Sequence, residues 1–161
     1  MREYQVLVIM KDIPGVLSKI SGLFSKRGFN INGITSGVSE RDGFFRMTIS
    51  VIGNKKIIEQ IKKQVAKLVD VVEVQIFDKT KTIKRELILI KIKTDVKTRT
   101  ELIEVAKIFK GKIIDISNES LIIELIGDLD KIDGFLKLTQ KFEVLEISRT
   151  GITAMHRGEK Q

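Results

Sequence analysis

Only a few residues of this sequence have the types and spacing that chemistry requires. Asp12, Pro14 and Gly15 sit together in "KDIPGVLSKI" (11–20), where an apolar strand gives way to an amphipathic helix. A helix start directs unpaired N–H groups outward, and a glycine there removes the side chain that would block a small anion. A free amino acid suits such a place. Its carboxylate would take the N–H groups, and its ammonium an oxygen acceptor such as Asp12 or the side-chain carbonyl of Asn30, at the opening of the next strand. The residue types also fit a plain helix start, with Pro14 in the first turn and Asp12 favouring the positive end of the helix dipole. On residue preference alone, both readings stand.

Catalytic groups are scarce elsewhere. The only histidine, His156, lies in "MHRGEKQ" and reads as a free side chain of a polar tail. Asp128, Asp130 and Asp133 fall at a helix start, where acidic residues favour the dipole, and they do not match a calcium loop. There is no cysteine, no Walker loop and no dinucleotide fingerprint. The expectation is a chain with no catalytic residue and no metal site, a binding or regulatory protein rather than an enzyme.

The elements that must position these residues repeat. Residues 3–10 form an apolar strand, and a helix over 14–27 places Val16, Leu17, Ile20, Leu23 and Phe24 on one face. "FNINGITSGVSE" and "FFRMTISVI" follow as strands joined by the turn residues "ERDG" (40–43). A second helix opens at "GN" (53–54), with Ile57, Ile58, Ile61, Val65 and Leu68 inward, before the strand "VVEVQIF" (71–77). The same order returns after the basic segment "KTKTIK" (79–84): strand 86–92, helix near 99–110, strands 112–117 and 121–126, helix 128–140 and strand 143–149. "IGN" and "IGD" before the two second helices are local echoes. The expected fold class is α+β: two tandem ferredoxin-like βαββαβ units with antiparallel sheets, spanning 1–78 and 85–161 with a basic linker at 79–84. Each helix carries one apolar stripe, so both helices should cover one sheet face and leave the other for a second sheet or a second chain.

Composition narrows the class. Hydrophobic residues make up 42% of the chain, and no apolar run approaches the roughly 20 residues of a membrane span. The N-terminus lacks the pattern of a signal peptide, so a cytoplasmic protein is expected. The formal charge is +8, but residues 1–78 carry 12 basic and 8 acidic side chains and residues 85–161 carry 14 and 13. So diffuse an excess describes solvated faces rather than a nucleic-acid surface. An RNA-recognition module shares this strand order, yet "RDGFFRMTI" lacks the stacking rings of its third strand.

The run "DIPGVLSKISGLFSKRGFNI" (12–31) closely resembles the ACT domain of the acetolactate synthase (acetohydroxyacid synthase) small-subunit family. "RMTISVIGNKKIIEQIKKQVAKLVDVVEV" (46–74), "RELILIKIKT" (85–94), "IFKGKIIDIS" (108–117), "KIDGFLKL" (131–138) and "EISRTGITAMHRG" (146–158) extend the likeness, in order, over essentially the whole chain. The resemblance implies a regulatory subunit that binds and activates a large catalytic subunit and makes it sensitive to valine or another branched-chain amino acid. Thiamine diphosphate, magnesium and FAD are then expected in that partner and no cofactor in this chain. The family's paired ACT domains, one from each chain of a homodimer, bind the effector at their interface. Carried to matching positions, the contacts are Asp12, Ile13, Gly15, Val16 and Leu17 with Asn30 and Ile31. Where the family usually has Asn, this chain has Asp12, which keeps an acceptor for the ammonium but adds a charge near the effector carboxylate. The alternative within the same fold is a free-standing amino-acid sensor.

Overall fold

The computed structural model describes residues 2–78 and 80–158. In chain order its elements are β1 (Arg2–Lys11), α1 (Val16–Lys26), β2 (Ile31–Val38), β3 (Phe44–Gly53), α2 (Lys55–Val65), β4 (Val71–Ile76), β5 (Thr82–Lys93), α3 (Val96–Ile108), β6 (Lys112–Ile116), β7 (Ser120–Gly127), α4 (Leu129–Thr139), β8 (Val144–Arg149) and β9 (Thr153–His156). The β-α-β-β-α-β order occurs twice, as the hydrophobic periods require. Two compact units result: residues 2–83 together with 152–158, and residues 84–151.

In the first unit the strands run antiparallel in the order β2-β3-β1-β4. Val6, Val8 and Met10 of β1 and Met47, Ile49 and Val51 of β3 face the helices, which return Val16, Ile20 and Phe24 from α1 and Ile58, Ile61 and Val65 from α2. Each such side chain contributes about 1.5–3 kcal/mol by leaving water. Leu7 and Ile9 point the other way and are also buried, which is why β1 is apolar on both sides.

The second unit has the order β6-β7-β5-β8. Ile88, Ile90 and Ile92 of β5 and Leu121, Ile123 and Leu125 of β7 pack against Leu102 and Ala106 of α3 and Ile132 and Phe135 of α4. The echo between the repeats has a packing cause. Asn54 and Asp128 each cap the second helix of their unit, accepting from the Ile57 and Lys131 N–H groups at 2.9 and 3.0 Å. The glycine before each cap leaves room for the helix's first turn. A Cβ at Gly53 would lie 3.2 Å from the Ile57 side chain, and one at Gly127 2.6 Å from that of Lys131.

Three boundaries differ from the sequence reading. The helix expected near 99–110 starts at Val96, because Asp95 accepts from the Lys97 and Thr98 N–H groups while the Thr98 hydroxyl takes the Asp95 N–H. The basic segment 79–84 is not wholly a linker: Thr82, Ile83 and Lys84 begin β5, and the β-branched Thr82 is buried. The segment after Arg149 is not a free tail. Ile152 and Ala154 are buried, Thr153, Met155 and Arg157 are exposed, and this alternation makes β9. β9 pairs with β5, whose first two residues belong to the same unit, and the Arg157 N–H donates to the Lys81 carbonyl at 2.8 Å.

Candidate functional site

The loop between β1 and α1 is held by its own backbone. The Lys11 N–H donates to Asp70 O and the Asp12 N–H to Gly43 O, both at 2.9 Å, and the Ile13 N–H turns back to Lys11 O at 3.1 Å. Gly15 is the residue ahead of α1 and has φ 83°, a left-handed conformation that a side chain would strain. No side chain caps α1. Asp12 is exposed and its carboxylate makes no hydrogen bond among the described residues, so Asp12 does not cap the helix, and Pro14 precedes the first turn. Neither residue therefore takes the place that a plain helix start would give it.

What they build is an open cleft of about 500 Å³, lined by Asp12, Ile13, Pro14, Gly15, Val16, Leu17, Ser18 and Phe45. Its chemistry is mixed in a specific way. The uncapped helix start offers N–H groups and the positive end of the dipole, Asp12 offers carboxylate oxygens, and Ile13 and Leu17 stand 38% and 47% exposed beside them. Leu17 reads from sequence as part of the buried helix stripe. It is instead an apolar side chain presented to the cleft. Ser18 and Phe45 line the cleft without having been singled out, and Pro14 joins them although it was not among the expected contacts.

Asn30 and Ile31 lie elsewhere. Ile31 pairs with Val51 at one end of β3, whereas Lys11 pairs with Phe44 at the other. Seven residues of extended strand separate the two ends, about 23 Å. β3 also stands between β2 and β1, so the second strand is not beside the first. Within one chain the Asp12–Leu17 group and the Asn30–Ile31 group do not meet. β2 is an edge strand, with Ile34 37% and Val38 82% exposed.

Asp128 and His156 have structural partners. Asp128 caps α4, and no group of three or more acidic or histidine side chains among the described residues is placed to hold a metal. His156 is half-buried: its Nε2 lies 2.8 Å from Gln75 Oε1 and its ring packs on Phe77 at 4.7 Å between centroids.

Comparison with known proteins bears on the whole chain. Residues 85–158 match the family model described as the small subunit of acetolactate synthase, and residues 6–73 match that of the AHAS small subunit-like ACT domain. A probable acetolactate synthase small subunit of Methanothermobacter thermautotrophicus is 44% identical, over 96% of this chain and 93% of that protein. This chain belongs to the acetolactate synthase small-subunit family. The acetolactate synthase small subunit of Mycolicibacterium smegmatis is 38% identical over 95% of the chain and 90% of that protein. The crystal structure of the Thermotoga maritima acetolactate synthase small subunit superposes with a TM-score of 0.91 at 44% identity, covering 99% of this chain and all of that one. The cleft and the start of β2 fall within the ACT-domain match, and β9 within the small-subunit match. Among the described residues no helix is long and apolar enough to cross a membrane.

Proposed function

We propose that this chain is the non-catalytic regulatory subunit of a cytoplasmic acetolactate synthase, which binds the large catalytic subunit, raises its activity and makes it sensitive to valine. The observation that carries this reading is the uncapped start of α1 opening into a cleft with Asp12 on one side and Leu17 on the other, in a chain of the small-subunit family. The effector's carboxylate sits at the helix start, its ammonium at Asp12, and its branched side chain against Ile13, Val16 and Leu17. Asn30 and Ile31 enter this site from a second copy of the chain, because within one chain they lie at the far end of the sheet. The exposed edge β2 is the contact through which a homodimer would bring them in. Thiamine diphosphate, magnesium and FAD belong to the catalytic partner. Valine inhibits by linkage: it binds better to a state of the small-subunit dimer that leaves the large subunit less active.

The test combines calorimetry with an assay. The purified chain is titrated with valine, leucine, isoleucine and threonine, and added to the large subunit while acetolactate formation is followed with and without valine. Saturable valine binding, stimulation of the large subunit and valine inhibition of the mixture are expected. Valine binding with no effect on any large subunit would instead describe a free-standing sensor, and absence of both would overturn the reading.

A further inference from the structure

The face of the first sheet turned away from α1 and α2 carries an ordered row of charge. Arg46 of β3 and Glu73 of β4 are both register partners of Ile9 in the central strand β1. They therefore stand two strand spacings apart, about 10 Å at the backbone, with an apolar floor between them. They do not pair with each other. One Arg46 Nη2 hydrogen bond goes to the Ala154 carbonyl of β9 at 3.0 Å, which leaves most of the guanidinium's donors unused. Glu73 accepts from the Gln75 amide at 2.8 Å and has Arg41 at 3.9 Å on its solvent side, a separation too long and too exposed to neutralise it. In the next row Leu7 pairs with Gln75, the residue on which His156 is seated. The C-terminal segment thus forms a roof over a cavity of about 360 Å³ lined by Leu7, Glu40, Arg46, Glu73, Met155 and His156. That is at the small end of ligand pockets, which run from about 300 to 1,000 Å³.

With Arg46 on one flank and Glu73 on the other, a simple anion would meet a carboxylate across the floor and a simple cation would leave the spare guanidinium donors unused. A molecule bearing both charges satisfies both flanks. We propose that this cavity is a second small-molecule site, separate from the α1 loop, for a compact zwitterion of the amino-acid type. Its carboxylate takes Arg46, its ammonium takes Glu73 and Glu40, and its apolar side chain lies over Leu7 and Met155. Met155 and His156 close the site, so occupancy holds the segment 152–158 on the sheet.

The single histidine makes this testable, since the imidazole proton signals of the full chain all belong to His156. The chain carrying Leu17→Arg, which closes the α1 cleft, is titrated with valine and with methionine, and in parallel with isobutylamine and isovalerate, each of which lacks one of the two charges. A saturable shift of the His156 signals is expected with at least one amino acid, and at least about tenfold weaker binding of both single-charge analogues. Glu40→Gln with Glu73→Gln should weaken the amino acid at least about tenfold while leaving the Arg46 contact to Ala154 in place. Arg46→Gln, which removes that contact as well, serves as the second variant. The proposal is overturned by no saturable shift from either amino acid up to about 10 mM, by analogues that bind equally well, or by indifference to the Glu40 and Glu73 changes. Failure of valine to bind the α1 cleft in the parent chain leaves all of these outcomes intact, so the two readings fail separately.

Discussion

The two units are built on one plan and differ most where the first strand meets the first helix. In the second unit Asp95 and Thr98 exchange hydrogen bonds and close the start of α3 on itself. In the first unit the corresponding turn puts Gly15 in a left-handed conformation, caps α1 with no side chain, and leaves the Asp12 carboxylate without a hydrogen-bond partner among the described residues, beside an open cleft. Both second helices are capped alike, by Asn54 and Asp128. One helix start of the four was therefore left open. A duplicated fold needs only that local change to leave one helix start uncapped beside a cleft, where N–H groups not satisfied within the helix face outward.

The cores offer the largest effects by which to test the likeness of the units. Phe24→Ala and Phe135→Ala remove equally buried rings, 1% and 0% exposed, and each should destabilise its unit by about 3–5 kcal/mol in urea unfolding. A much smaller cost for one of them would mean that the two cores are not equivalent.

The next comparison is of binding. Leu17→Arg should lower valine affinity at least about hundredfold by calorimetry, with a melting temperature close to that of the parent, since Leu17 is half exposed. Val96→Arg, at the start of α3 and 90% exposed, should change neither. Leu17 is a better probe than Gly15. A Cβ at Gly15 meets nothing within 4 Å, but φ 83° would strain any side chain there and mix backbone cost with steric blockage.

A smaller effect separates the two acidic residues. Hydrogen bonding to the Thr98 backbone N–H and, next, to its side chain holds the Asp95 carboxyl below the usual carboxylate range, with Lys97 adding in the same direction. A carboxyl depressed on folding stabilises above its unfolded pKa, and that contribution is lost as pH falls through the folded value. Asp95→Ala should therefore lower the urea midpoint at neutral pH, and the difference from the parent should shrink below about pH 4. Asp12→Ala should leave the midpoint at neutral pH unchanged, because its carboxylate has no partner among the described residues.

The smallest expected change is the most specific. Asp12→Asn keeps an acceptor for the effector's ammonium and removes a negative charge near its carboxylate. Valine binding should tighten about fivefold, on the order of 1 kcal/mol in a partly solvated site. Equal or weaker binding by calorimetry would show that the Asp12 charge serves the ammonium more than it repels the carboxylate.

The β9 segment shows how legibility depends on what a residue faces. "GITAMHRG" alternates buried and exposed residues as any strand does, yet its polar composition and terminal position make it read as a tail. Its partners, Arg46 and Gln75, are more than 75 residues earlier in the chain, and no local pattern announces them. Both ends of α1 and α4 and the start of α2 were legible to within about two residues, because an amphipathic period is a local signal. Asn30 and Ile31 show the opposite case. Their neighbourhood in the chain is plain, but only strand order reveals that β3 intervenes and that the loop lies at the far end of the sheet.

The sequence by itself determined the two βαββαβ units, the apolar stripe that each helix carries and the loop that opens α1. These follow from periodicity and short-range hydrogen bonding, whose partners lie within a few residues of one another. The tertiary structure alone decided that the last strand returns to the first unit, that Arg46 and Glu73 share a row without pairing, and that the Asp12–Leu17 and Asn30–Ile31 groups lie at two ends of one sheet. Each depends on strand order and register, which are settled by the packing of residues distant in the chain.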